Sequence, residues 1–149
     1  MHILALPKWY PGRNDPQLGD FIRKQMLAVA RHERVSVVFT APVVGLGRAY
    51  IQELEERDGA WELRCYYEPS VARSGLQRKV INLHRWWKAT RQGIERCMRE
   101  RGKPDVTHVH ILVRPALAAL WLKRRFGVPY ILSEQSSQYL DGTWEAKSN

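Results

Sequence analysis

The chain has 149 residues, 44% of them apolar and 26% charged, which supports one domain with a hydrophobic core and excludes two of ordinary size. Its formal charge of +9 attracts polyanions, whether nucleic acid, anionic lipid headgroups or phosphorylated substrates, without choosing among them. No apolar run approaches the roughly 18 residues of a membrane span, the opening Met1-His2-Ile3-Leu4-Ala5-Leu6-Pro7 lacks the basic start and cleavage site of a signal peptide, and Cys65 and Cys97 lie far apart without metal-ligand spacing, as suits reduced thiols in a cytosolic protein.

Ile3 to Leu6 is a short apolar run and reads as a buried strand. A loop rich in turn residues follows from Trp9 to Gly19, and Asp20 is placed to cap a helix whose apolar positions are Ile22, Met26, Val29 and Ala30. Val35 to Phe39 is β-branched and almost wholly apolar, as in a strand covered on both faces. Residues 41 to 59 give no single reading: Pro42, Gly45 and Gly47 mark a loop, and the polar stretch Arg48 to Arg57 fits a helix without requiring one. From Trp61 to Glu68 the pattern alternates, with Trp61, Leu63, Cys65 and Tyr67 on one face and Glu62, Arg64, Tyr66 and Glu68 on the other. This predicts an edge strand with one wet face. Residues 76 to 101 read as a long helix and Val106 to Ile111 as a strand. Pro115 opens a helix through Phe126, favoured at its end by Lys123, Arg124 and Arg125 and stopped by Gly127; Pro129 to Ser133 is a further strand. Strands that alternate with helices in this way predict an α/β fold, a doubly wound sheet of mostly parallel strands. No linker or repeat divides the chain, so residues 1–149 are expected to form a single domain.

The positive charge is concentrated. From Leu76 to Lys103 there are nine Lys or Arg against two acids, Glu95 and Glu100, a local excess of +7. Val80, Leu83, Trp87, Ile94 and Met98 form an apolar stripe, with Trp86 beside it. Two readings fit: a crossover helix whose stripe packs on the sheet, or a basic amphipathic element that lies on an anionic membrane surface.

Three segments together resemble the N-terminal domain of glycosyltransferase family 4. Ile3-Leu4-Ala5-Leu6-Pro7-Lys8-Trp9-Tyr10-Pro11, with Gly19-Asp20-Phe21 after it, is similar to the family's first strand, its aromatic-proline loop and the glycine before its first helix. Pro104-Asp105-Val106-Thr107-His108-Val109-His110, followed by Arg114-Pro115-Ala116, resembles the family's "PDvvHaH" segment and the small-residue helix beyond it. Gly127-Val128-Pro129-Tyr130-Ile131-Leu132-Ser133-Glu134 resembles the next strand and its loop. The segments stand in the family's order and at its spacing, and residues 41 to 76 add little to the match.

The resemblance implies the N-terminal, acceptor-side half of a GT-B enzyme, a Rossmann-like domain that faces a nucleotide-sugar-binding C-terminal domain across a cleft. That second domain carries an E-x7-E element with no counterpart here. The intact enzyme would transfer a sugar from a nucleotide-sugar to a polysaccharide, lipopolysaccharide or glycolipid acceptor. No cofactor or metal is implied, the nucleotide-sugar being a co-substrate. The expected location is the cytoplasm, with attachment to the inner face of the membrane through the basic segment 76–103 as the alternative to a plain crossover helix, and this chain alone is not expected to be catalytic.

The resemblance also nominates residues. Gly19, with Asp20 beside it, faces the donor's diphosphate, where backbone N–H groups and the helix dipole favour an anion; the family often has two glycines where Leu18-Gly19 has one. Trp9 and Tyr10 offer aromatic faces to an acceptor sugar. His108 and His110 flank Val109 at strand spacing and share a face, and His110 aligns with the histidine expected to contact substrate as a positioning and electrostatic residue; His108 reads as a buried histidine. Arg114 is a candidate partner for an acceptor phosphate, and Glu134 and Ser136 for sugar hydroxyls. Position 135 is Gln where the family pattern has His, so any proton chemistry of that histidine is lost or moved.

Rival readings find less support. A nucleic-acid-binding domain fits the charge, but no helix-turn-helix, zinc, RRM or KH signature is present, and no nucleic-acid partner is expected. A receiver-type regulatory domain would need acidic residues after the first strand, which ends Leu6-Pro7-Lys8. A dinucleotide site needs G-x-G-x-x-G, and Gly45-Leu46-Gly47 lacks the third glycine.

Overall fold

The computed structural model describes residues 1–134. Six strands form one sheet in the order β3-β4-β2-β1-β5-β6. The elements along the chain are β1 (His2–Pro7), α1 (Asp20–Ala30), β2 (Arg34–Pro42), β3 (Tyr50–Arg57), β4 (Ala60–Tyr67), α2 (Gly75–Arg101), β5 (Val106–His110), α3 (Pro115–Phe126) and β6 (Tyr130–Ser133). Every neighbouring pair is parallel except β3 and β4. This is the doubly wound, Rossmann-like α/β sheet that the alternation predicts.

Helices cover both faces because the central strands are apolar on both. Leu4 and Leu6 of β1, Val38 of β2 and Val109 of β5 pack with Trp86, Ile94 and Cys97 of α2 and Leu122 of α3. On the opposite face Ala5, Val35, Val37 and Phe39 pack with Ile22 and Met26 of α1. α2 comes close to the sheet at Gly93: a Cβ there would lie 2.5 Å from Cys65 Sγ and 2.9 Å from Val38 Cγ1. Pro115 opens α3 and Gly127, at φ 69°, ends it, as the sequence predicts.

Three expectations are corrected. Arg48 to Arg57 contains the strand β3, not a helix. It pairs antiparallel with β4 through a tight turn at Asp58 and Gly59, both at positive φ, the hairpin geometry that an Asp-Gly pair favours. β4 is consequently not an edge strand. It lies between β2 and β3 with all eight residues buried, and its polar face is made tolerable by ion pairing. Lastly, Asp20 does not cap α1. Gly19 is the N-cap at φ 67°, and Asp20 stands in the first turn, 2.7 Å from Lys24.

Candidate functional site

Chain order and strand order part company at β1. The chain first moves outward to β2 on one side and later returns to β5 on the other. Doubly wound sheets bind ligands beyond the carboxyl ends of their strands at such a switch, and a cavity of about 430 Å³ lies there. Its walls come from the ends of β1 and β2, the loop of residues 8–19, the middle of α2 and the start of α3. Trp9, Asn14, Thr40, Thr90 and Arg114 line it among apolar neighbours. Thr90 Oγ1 donates to Thr40 Oγ1 at 2.9 Å, so two hydroxyls stand side by side at the wall.

The loop of residues 8–19 keeps its shape because its backbone and the Asn14 side chain are tied down on several sides. Lys8 N donates to the His110 carbonyl at 3.1 Å and Asn14 Nδ2 to the Pro42 carbonyl at 2.7 Å. Arg64 Nε donates to the Pro11 carbonyl at 2.7 Å, and Arg13 N to the Tyr66 hydroxyl at 3.1 Å. Gly19 is required by contact as well as by φ, since a Cβ would meet the Trp9 carbonyl carbon at 2.5 Å.

Beneath the loop sits a charged cluster that sequence reasoning missed. Glu62, fully buried, accepts from Tyr10 Oη at 2.6 Å, from Arg23 Nε and Nη2 at 3.0 and 2.7 Å, and from Arg64 Nη2 at 3.1 Å. Burial alone would raise the Glu62 pKa. The hydrogen bonds from Arg23 and Tyr10 and the two guanidinium charges outweigh it and hold the carboxyl below its usual range. Burial and the Glu62 carboxylate together push the Tyr10 phenol up. The visible signal was Glu62 and Arg64 alternating with apolar residues in one strand, a pattern that also fits a wet face.

The nominated residues separate into groups. Trp9 and Arg114 come together in the cavity. Tyr10, nominated with Trp9, turns inward instead: it is 1% exposed, and its ring packs in the α1-side core near Phe39. His110 is buried and its ring stacks on His108, with centroids 3.9 Å apart. His108 is only half-buried, and its partner is the Ser133 hydroxyl, 2.8 Å from Nε2; burial lowers its pKa. Gly19 and Asp20 form the amino end of α1. Glu134 Oε2 accepts from Leu112 N at 3.1 Å and so braces the loop between β5 and α3. Ser136 lies outside the described residues.

That loop is strained. Ile111 and Arg114 adopt φ 70° and 67°, uncommon for side chains with a Cβ. Such strain persists only where surrounding structure imposes it, and it concentrates at binding sites. It turns Arg114 toward the cavity, with Nη1 3.4 Å from the Tyr67 hydroxyl.

A Rossmann-like domain with a walled cavity at its strand switch has the layout of a ligand-binding α/β domain. The chain is similar in structure to CalG4, the calicheamicin glycosyltransferase, with a TM-score of 0.56 and 14% sequence identity. The match covers 99% of this chain and 37% of that one, so the chain spans well under half of that protein's length. The likeness shows a shared fold. No protein-family model and no curated protein matches the chain. Among the described residues no helix is long and apolar enough to cross a membrane.

Proposed function

We propose that the chain is the acceptor-side half of a GT-B glycosyltransferase resembling family 4. The intact enzyme would move a sugar from a nucleotide-sugar to a polysaccharide, lipopolysaccharide or glycolipid acceptor. The observation that carries the reading is the cavity at the strand switch, which Trp9 and Arg114 both line. The Trp9 ring offers a flat apolar face to a pyranose, and Lys8 Nζ lies 5.6 Å from its centroid. Arg114 supplies a fixed positive charge for a phosphate or carboxylate on the acceptor, and the paired Thr40 and Thr90 hydroxyls suit sugar hydroxyls. The likeness to CalG4 over 37% of that chain supports the reading and leaves room for a separate donor-binding domain.

In this reading the amino end of α1, opened by Gly19 and Asp20, faces the donor diphosphate. His110 is a positioning residue: its carbonyl holds Lys8 N, and its ring packs on His108. Glu134 positions the Arg114 loop, and Ser136 is proposed as a contact for acceptor hydroxyls. No metal is called for, because helix dipoles and basic side chains neutralise the diphosphate.

Membrane attachment through segment 76–103 belongs to the same proposal, for a protein peripheral to the cytoplasmic face. Leu76, Val80 and Leu83, at helical spacing on α2, are 74%, 60% and 42% exposed, with Arg78 and Lys79 between them. Each basic residue near an anionic leaflet contributes about 1 kcal/mol. Co-sedimentation with anionic but not neutral vesicles is expected; equal, negligible binding to both removes this part.

Isothermal titration against UDP-, GDP- and ADP-sugars and against acceptor oligosaccharides tests the main reading. Acceptor binding that weakens at least tenfold in Trp9→Ala and Arg114→Ala, without tight nucleotide-sugar binding, is expected. Tight nucleotide-sugar binding would reverse the assignment of halves.

A further inference from the structure

A second cavity, of about 400 Å³, lies between α2 and α3. Leu83, Trp86 and Trp87 from α2 and Leu117, Trp121 and Arg124 from α3 line it. The Trp87 and Trp121 rings meet edge to face at 5.7 Å, and the Arg91 guanidinium lies 5.8 Å from the Trp121 centroid. Apart from Arg124 and the indole N–H groups, its lining offers no polar group to read a peptide backbone or a sugar. The groove therefore suits a hydrocarbon chain.

Its surroundings narrow the occupant further. Trp86 is part of the wall of both this groove and the cavity at the strand switch, and on α3 Leu117 faces the groove while the adjoining Ala118 lines the cavity. A ligand that fills both carries a polar head and an apolar tail. Outward, Leu83 continues a stripe along α2 through Val80 to Leu76, and Val113, which lines the cavity at the strand switch, is 43% exposed. Arg78 and Lys79 flank that stripe in a segment with a local excess of +7, which complements an anionic bilayer as the source of such a ligand.

We infer that the groove between α2 and α3 holds the hydrocarbon chain of an amphiphilic, membrane-borne acceptor whose polar head occupies the cavity at the strand switch. The inference rests on the acceptor-side reading and names its substrate class as lipid-linked. Affinity then grows with chain length, roughly fourfold for each methylene buried. Arg114 engages the head and the tryptophans engage the tail.

Dodecyl maltoside with a brominated chain, kept below its micelle concentration, tests this by quenching tryptophan fluorescence of the full chain, with unbrominated dodecyl maltoside as competitor. Saturable quenching is expected with the brominated amphiphile, and its displacement by the unbrominated one. It is expected to weaken at least tenfold in Leu117→Arg and in Leu83→Gln. Both side chains are about half exposed, at 51% and 42%, so neither variant removes core packing. Quenching that is linear in concentration, or that both variants leave unchanged, overturns the inference. So does concentration-dependent dimerisation abolished by Leu117→Arg, because a second copy then fills the groove. Chain binding in a protein that binds no acceptor sugar would keep the groove and remove the acceptor reading; sugar binding without chain binding would do the reverse.

Discussion

Replacing Glu62 with Gln keeps the side-chain volume and removes the charge on which the floor of the site is built. In the native protein four hydrogen bonds converge on this carboxylate from Tyr10, Arg23 and Arg64. The guanidinium side chains are 14% and 9% exposed, so neither reaches bulk water without moving the chain around it. Removing one partner from a buried ion pair costs about 3–5 kcal/mol, mostly because the remaining charge is left uncompensated. Here both arginines keep Glu55, at 3.0 and 3.1 Å, but that carboxylate is 44% exposed and screened. The loss is therefore set at the low end, about 3 kcal/mol. With a urea m-value of about 2 kcal/mol/M, the unfolding midpoint falls by about 1.5 M. The pH dependence gives a second readout. A carboxyl held below its ordinary 4.5 in the folded state contributes fully above that value. Its contribution is lost as pH falls through the lower, folded pKa. The wild-type protein should lose stability on acidification below about pH 4.5, and Glu62→Gln should flatten that limb. A midpoint shift below about 0.5 M together with an unchanged acid limb would refute the view that Glu62 organises this cluster.

Three further outcomes follow from the same geometry. Gly93→Ala should destabilise by about 1–3 kcal/mol from overpacking, despite alanine's better helix propensity, and Cys65→Ala in the same chain should recover part of the loss, the Val38 methyl at 2.9 Å remaining in the way, as read by calorimetry. Burial pushes the Cys65 thiol up to about 12 and Cys97 up to about 11, so neither should react with a thiol-specific chromogenic reagent at pH 8 until denaturant is added; prompt labelling of the native protein would contradict their burial. Arg114→Gly should raise stability by about 1 kcal/mol in urea unfolding by relieving the left-handed backbone, while weakening binding of an anionic acceptor; a loss in both would mean that the strained loop is held by the Arg114 side chain itself.

What the sequence disclosed depended on whether an element's partners were local. α2 and α3 were legible because their caps, periodicity and end charges lie within each segment. β1 and β2 were legible because burial on both faces leaves an almost wholly apolar run. β3 was not, since an outermost strand with Glu53, Glu55 and Glu56 carries little apolar signal, although Asp58-Gly59 announced its turn. The wet face expected of β4 failed for a long-range reason: Glu62 and Arg64 are paired or hydrogen-bonded by groups from the first loop, α1 and β3, brought in by folding. The same distance explains Tyr10. Nothing local distinguishes it from Trp9, and it turns inward because the carboxylate it meets stands 52 residues further along the chain.

The sheet thus supports the candidate site from beneath. On the α1 side a buried charged cluster grips the loop of residues 8–19 through Tyr10 and the Pro11 carbonyl. On the α2 and α3 side apolar packing leaves Trp86 between two cavities of different character. Trp9 is presented by the first arrangement and Arg114 by the strained loop that follows β5. Neither residue's position depends on its own contacts alone. A substitution under the loop, such as Glu62→Gln, should therefore weaken ligand binding in the cavity without touching the ligand, whereas Leu117→Arg should act only through the groove.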